Sequence, residues 1–170
     1  MTFGARDAQG GRVWLDPLQL LAALKSRGGL VYATACLAII LITGIPLQAA
    51  APTTVVSTDS AMVFWVAFGF LSPVLETWML QDCLQEALSR RGAGLWKRVA
   101  ISWAAFAFLR SSSLLTFFLV GGVQGFLYAA TYAVWRTEGH HRAFAMTFFL
   151  HLLANNALAG VSLLIASAHA

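Results

Sequence analysis

Between Leu30 and Leu47 the chain reads LVYATACLAIILITGIPL, without one charged side chain, and the run from Ala143 to Ile165 is as apolar apart from His151, Asn155 and Asn156. A bilayer core is about 30 Å thick and an α-helix rises about 1.5 Å per residue, so stretches of this length fit a membrane crossing. Lipid offers no hydrogen bonds, and a backbone placed in it must satisfy itself as a helix. Composition agrees: 59% of the 170 residues are hydrophobic and 11% are charged, against about a quarter charged in soluble domains. The expected fold class is therefore an all-α membrane protein, a polytopic helical bundle with no room for a separate soluble domain.

Five transmembrane helices are expected. The first is Leu30–Leu47, closed by Gly44 and Pro46, and the second runs from Ala61 to about Leu80. A shorter third is VAISWAAFAFL, the fourth is Leu114–Trp135 and the fifth Ala143–Ile165. Residues 1–29 form a cytoplasmic N-terminal segment and 30–170 the bundle. In the former, LDPLQLLAALKSR has Asp16 to cap a helix, Pro17 at its first position and leucines at 18, 20, 21 and 24. That pattern predicts an amphipathic helix lying on the membrane surface.

Basic residues gather at alternate connections: Arg6, Arg12, Lys25 and Arg27 before the first span, Arg90, Arg91, Lys97 and Arg98 after the second, Arg136 and Arg142 after the fourth. The positive-inside rule then places the N-terminus in the cytoplasm and the C-terminus outside the cell membrane. The net charge of +4 is topology anchoring, and no nucleic-acid partner is expected. Residues 99–135 are short for two full crossings, so the hairpin at RSSS is expected to turn within the outer leaflet. Cys36 and Cys83 lack any CxxC spacing and read as buried small residues. Glu138, His140 and His141 form too weak a pattern for a metal, and no cofactor or metal is expected.

The polar residues inside the spans converge in depth. Counting about 1.5 Å per residue from the nearest basic residue, Glu76 lies about 21 Å from Arg90, Arg110 about 18 Å from Arg98, and Gln124 about 18 Å from Arg136. His151 and Asn155 lie about 14 and 20 Å from Arg142 and, at i, i+4, share a helical face. Ionisable groups at that depth mark a functional site unless something simpler holds them. The simpler readings are specific. Glu76 could occupy the first turn of a helix starting at Ser72 and Pro73, Arg110 could snorkel to the outer interface, and His151 with Asn155 could glue helices together. Interhelical glue is the favoured reading for Gln124, and Gly121, Gly122 and Gly125 read as close-packing positions.

SPVLETWMLQ, FAFLR, FFLVGGVQGFLY and HLLANN, in that order, resemble the CPBP family of intramembrane proteases, which includes CAAX prenyl endopeptidases and bacteriocin-processing or immunity proteins. The resemblance covers about 71–158. The family's EExxxR, FxxxH and HxxxN motifs fall on Glu76 to Gln81, Phe106 to Arg110 and His151 to Asn155. Three positions depart from it: Thr77 replaces the second glutamate, Gln81 the arginine and Arg110 the histidine. The resemblance implies an endopeptidase acting on a membrane-associated peptide or protein. Glu76 would activate a water, with His151 and Asn155 holding it or the oxyanion, and Thr77, Gln81, Phe106 and Gln124 supporting. Arg110 cannot relay a proton as histidine does; it could pair with Glu76 or donate to the oxyanion. A catalytically inactive relative that binds a membrane partner or confers immunity is the alternative. A proton-coupled transporter subunit is a further rival, against which no inverted repeat is visible.

Overall fold

A computed structural model of the chain describes residues 4–6, 12–14, 16–50, 65–110 and 117–168. It is all-helical in class; the strands among these residues are a three-residue antiparallel ribbon pairing Gly4–Arg6 with Arg12–Trp14. Helix α1 is Pro17–Ser26 and begins as its sequence dictates: Pro17 is its first residue and the Asp16 carboxylate accepts the Leu18 N–H at 2.9 Å. Leu18 and Leu21 are buried while Leu20 is half exposed, so α1 lays one stripe against the bundle. Lys25 fastens it there, donating to the Val134 carbonyl at 3.1 Å and the Thr137 hydroxyl at 2.8 Å.

Helix α2, Gly29–Ala50, does not stop at Gly44 and Pro46 as expected but carries Pro46 inside it. Membrane-type helices tolerate such a proline because the backbone group it frees can be satisfied locally. Gly44 has a packing reason instead: a Cβ there would stand 2.8 Å from a Leu158 methyl and 3.6 Å from Gln124 Nε2.

Helix α3 is one continuous helical run over 65–90 with alternating winding: π over Trp65–Leu71, α over Ser72–Glu76, π over Thr77–Cys83 and α over Leu84–Arg90. Leu71 has helical dihedrals of −65° and −41°, so no helix begins at Ser72 and Pro73. Glu76 is therefore mid-helix, and the first-turn reading of it is overturned. Pro73 stands five residues after Phe68 and four after Gly69 and has no N–H to give their carbonyls. Side chains donate to both, Asn155 Nδ2 to Phe68 O and Asn156 Nδ2 to Gly69 O, each at 3.0 Å, and the Ser102 hydroxyl donates to Leu80 O at 2.6 Å.

Helix α4 is Leu95–Arg110. Helix α5 covers 117–135, π over Phe117–Gln124 and α over Gly125–Trp135, and α6 is His140–Ala168 after a single 3-10 turn, Arg136–Glu138. The turn expected at RSSS lies outside the described residues, as do residues 61–64 of the second span. Helix α5 is the axis of the bundle, with every residue from Leu127 to Trp135 buried. Helix α4 reaches it closely because Gly121 and Gly125 lack side chains: a Cβ at Gly121 would meet Ala107 Cα at 2.6 Å, and one at Gly125 would meet the Phe106 ring at 2.6 Å. Across the axis, the Tyr32 and Thr131 hydroxyls bond at 2.8 Å.

Outside this core the surface is apolar. Leu30 is 82% exposed, Ile42 73%, Phe108 78% and Leu164 71%, and large apolar patches are rare on the surface of soluble monomers. Among the described residues two helices are long and apolar enough to cross a membrane, over Gly29–Pro46 with mean hydropathy 2.0 and His140–Ile165 with 1.7.

Candidate active site

Three helices bring Glu76, Arg110 and His151 to one point. Arg110, the last residue of α4, donates from Nε to Glu76 Oε2 at 3.0 Å and sets an Nη2 2.7 Å from Oε1. That Nη2 also donates to the Ser72 hydroxyl at 2.8 Å, and Ser72, one turn before Glu76, bonds in turn to Glu76 Oε1. The carboxylate is thus held on both oxygens. Arg110 is turned toward this carboxylate, and N–H groups facing a carboxylate at this separation form strong charge-assisted hydrogen bonds. The Glu76 side chain is 20% exposed and that of Arg110 26%, so the pair can be reached from outside the bundle.

His151, from α6, lies behind Glu76 and is 1% exposed. Its ring stacks on Tyr128 with centroids 4.2 Å apart and meets Phe106 edge-on at 5.6 Å. Nδ1 is 3.5 Å from the Thr77 hydroxyl and Nε2 3.6 Å from Glu76 Oε2. The second contact is too long for a hydrogen bond, and Nε2 is buried without a partner among the described residues, as is the Tyr128 hydroxyl. The site consequently holds an ionised pair at its mouth and an unused imidazole nitrogen and phenol behind it.

Not every expected residue joins this point. Thr77 and Phe106 do, through His151. Gln81 lies one turn deeper and serves another network: its Oε1 accepts from Ser102 at 2.6 Å and from Gln85 at 3.2 Å, while Gln85 also donates to Ala129 O at 3.0 Å. Gln124 sits against Gly44 of α2, which fits interhelical packing and removes it from the Glu76 cluster. Asn155 is expected from its spacing to project with His151; its amide instead donates to Phe68 O, two turns before Glu76. Cys36 is buried as expected, whereas Cys83, at the end of the π segment Thr77–Cys83, is exposed.

Ser72 and Tyr128 complete the site without having been singled out in the sequence. Ser72 was legible as the residue four before Glu76, on the same helical face. Tyr128 carried no signal beyond its place in an apolar run.

A second polar cluster closes the end of the bundle where the basic residues lie. The Tyr132 hydroxyl donates to Asp82 Oδ1 at 2.5 Å, His140 Nδ1 is 3.2 Å from the same oxygen, and Arg136 forms an ion pair with Glu86, its Nη2 3.2 Å from Oε2. The Arg136 hydrogen bond holds the Glu86 carboxyl below its ordinary range, and Lys25 and then Arg142 do the same for Glu138. Depressed acid pKa values in the folded state stabilise it above the unfolded value, near 4.3, and that contribution is lost as pH falls through the folded values. Thermal melts in detergent should therefore give a Tm that is flat above about pH 5.5 and falls below about pH 4.5. In Glu86→Gln the fall should be shallower; an unchanged slope would deny Glu86 a part in it.

Comparisons with protein-family models, curated proteins and solved structures return no match. The site must be judged on its own geometry.

Proposed function

We propose that the chain is a multi-pass protein of the cell membrane, N-terminus in the cytoplasm and C-terminus outside, and that its Glu76 centre is the site of a restrained, CPBP-like intramembrane endopeptidase. Support for the five-span topology comes from the apolar outer surface and from helix lengths. Helix α3 reaches about 39 Å at α-helical rise and α5 about 28 Å, while α4, at about 24 Å, needs its hairpin within the outer leaflet.

The observation that carries the catalytic reading is the gap between a reachable carboxylate and a buried, unpartnered imidazole nitrogen, Glu76 Oε2 to His151 Nε2 at 3.6 Å. A water lodged against both would lose a proton to Glu76 while its oxygen attacks the scissile carbonyl. Glu76 would then return that proton to the departing amine, which is general acid–base catalysis by one carboxylate. Arg110 restrains the reaction, since its N–H groups hold one acceptor site on each Glu76 oxygen and compete with the water's proton. The family's asparagine function is not supplied by Asn155 in this arrangement.

One observation favours a second reading, a non-catalytic protein that holds a partner's membrane segment: both oxygens of Glu76 are already engaged, Oε1 by Arg110 and Ser72 and Oε2 by Arg110.

The two readings separate by N-terminal labelling of membrane peptides from cells expressing wild type, Glu76→Gln and His151→Ala at equal abundance. Protein termini that accumulate with wild type and vanish in both variants are expected. Identical termini in all three, with the variants folded, would sink the endopeptidase and leave the binding protein.

A further inference from the structure

At the basic end of the bundle a cavity of about 770 Å³ opens between α1, the first turn of α4, the end of α5 and the Arg136–Glu138 turn, within the size range of ligand sites. Leu18, Ala22 and Val134 furnish an apolar wall, and Lys25, Arg98 and Arg136 bring positive charge to it. Two of these cations are already matched: Lys25 lies 2.9 Å from Glu138, and Arg136 pairs with Glu86. Arg98 is not, for its Nε is buried with no hydrogen-bond partner among the described residues. The Asp16 carboxylate, also at the rim, is engaged in capping α1.

A buried guanidinium nitrogen without an acceptor is costly unless a ligand brings one. The surroundings say what charge that ligand has. Arg98 ends the connection RRGAGLWKR, which carries four cations and no acid, and a guanidinium fork matches phosphate oxygens. Trp96, 45% exposed at the cavity mouth, is the residue type that settles at headgroup depth. An apolar wall leading away from an unmatched cation, at the level where a surface helix meets the bundle, fits a molecule with an anionic head and an acyl tail.

We infer that this cavity binds one anionic phospholipid of the cytoplasmic leaflet, with its phosphate on Arg98 and an acyl chain along Leu18, Ala22 and Val134. The lipid would lie against both α1 and the bundle, so that the surface helix and the leaflet are joined through it. Basic pockets between membrane helices on the cytoplasmic side are suited to such headgroups. The inference rests on the multi-pass reading and is independent of proteolysis.

The test uses the full-length protein in mild detergent, with native mass spectrometry and thermal melts against added phosphatidylglycerol, phosphatidylcholine or inorganic phosphate. Wild type should retain phosphatidylglycerol in preference to phosphatidylcholine and melt higher with it. Arg98→Gln should weaken retention about tenfold, the usual effect of losing one charge-assisted hydrogen bond, and Arg98→Lys should keep most of it. Glu76→Gln should bind as wild type does.

Equal retention of the two lipids, or Arg98→Gln behaving as wild type, would overturn the proposal. So would stabilisation by inorganic phosphate alone, which would assign the cavity to a soluble anion. A chain released from membranes by alkaline carbonate would refute the multi-pass reading itself, whereas an integral chain with no lipid preference refutes only this inference.

Discussion

Arg110→Met should destabilise the protein by about 3 kcal/mol, and adding Glu76→Gln to it should restore most of that loss. Glu76 sits mid-helix in α3 among apolar residues, and Arg110 supplies two contacts to its carboxylate at 3.0 and 2.7 Å. Removing the guanidinium leaves the carboxylate with the Ser72 hydroxyl as its hydrogen-bond donor among the described residues and the His151 ring 3.6 Å away. Breaking a buried pair from one side typically costs about 3–5 kcal/mol, because a charge is stranded. The lower end applies here, since both side chains retain some exposure. Glutamine has the same shape as glutamate without its charge, so the double variant strands nothing, and the coupling between the sites should be about 2 kcal/mol. In detergent melts the single change should lower Tm by roughly 6–12 °C. A fall of less than about 2 °C, or strictly additive effects, would mean that the pair does not hold the two helices together.

The pair was within reach of the sequence because depth needs only one number per residue. Counting rise from the basic residues put Glu76, Arg110 and His151 in one layer, and the structure joins them. Which way a side chain turns about the helix axis is a different quantity, and there the count was blind. His151 and Asn155 share a face at i, i+4, yet one turns in to Tyr128 and the other reaches Phe68 O. The partner that Asn155 meets lies in α3, where Pro73, five residues after Phe68, brings no N–H to its carbonyl, while nothing in WVAFGFL announces the π winding over Trp65–Leu71. Nor does TWMLQDC announce the π winding over Thr77–Cys83, the segment that carries Gln81 and the exposed Cys83.

Helix ends show a complementary limit. Asp16 and Pro17 marked the start of α1 because capping is local chemistry, complete within a few residues. Gly44 and Pro46 misled: Gly44 has a tertiary role, since it admits Leu158, and Pro46 lies inside the helix without ending it. The cluster of Asp82, Tyr132 and His140 was invisible for a related reason. Its members come from three helices, and no single segment shows the pattern.

Arg110→His is the change that should most alter the chemistry, raising the rate at which wild-type-specific termini appear by about a hundredfold. The guanidinium donates to Glu76 and stays charged throughout, so it can neither accept a proton nor leave the carboxylate free for water. An imidazole is shorter, releases at least one Glu76 oxygen, and can exist neutral near pH 7, so it can share the proton traffic that a positioned acid–base group contributes, typically about 10² to 10⁴ in rate. The measurement is the initial rate of terminus formation in membranes of matched protein content, with Glu76→Gln combined with Arg110→His as the control in which cleavage should cease. A rate that falls instead would make Arg110 a needed donor to the oxyanion and not a restraint. No cleavage in either form would mean that His151 and Glu76, although adjacent, do not activate water, and the Arg110-paired carboxylate would then be read as the closed floor of a binding cavity.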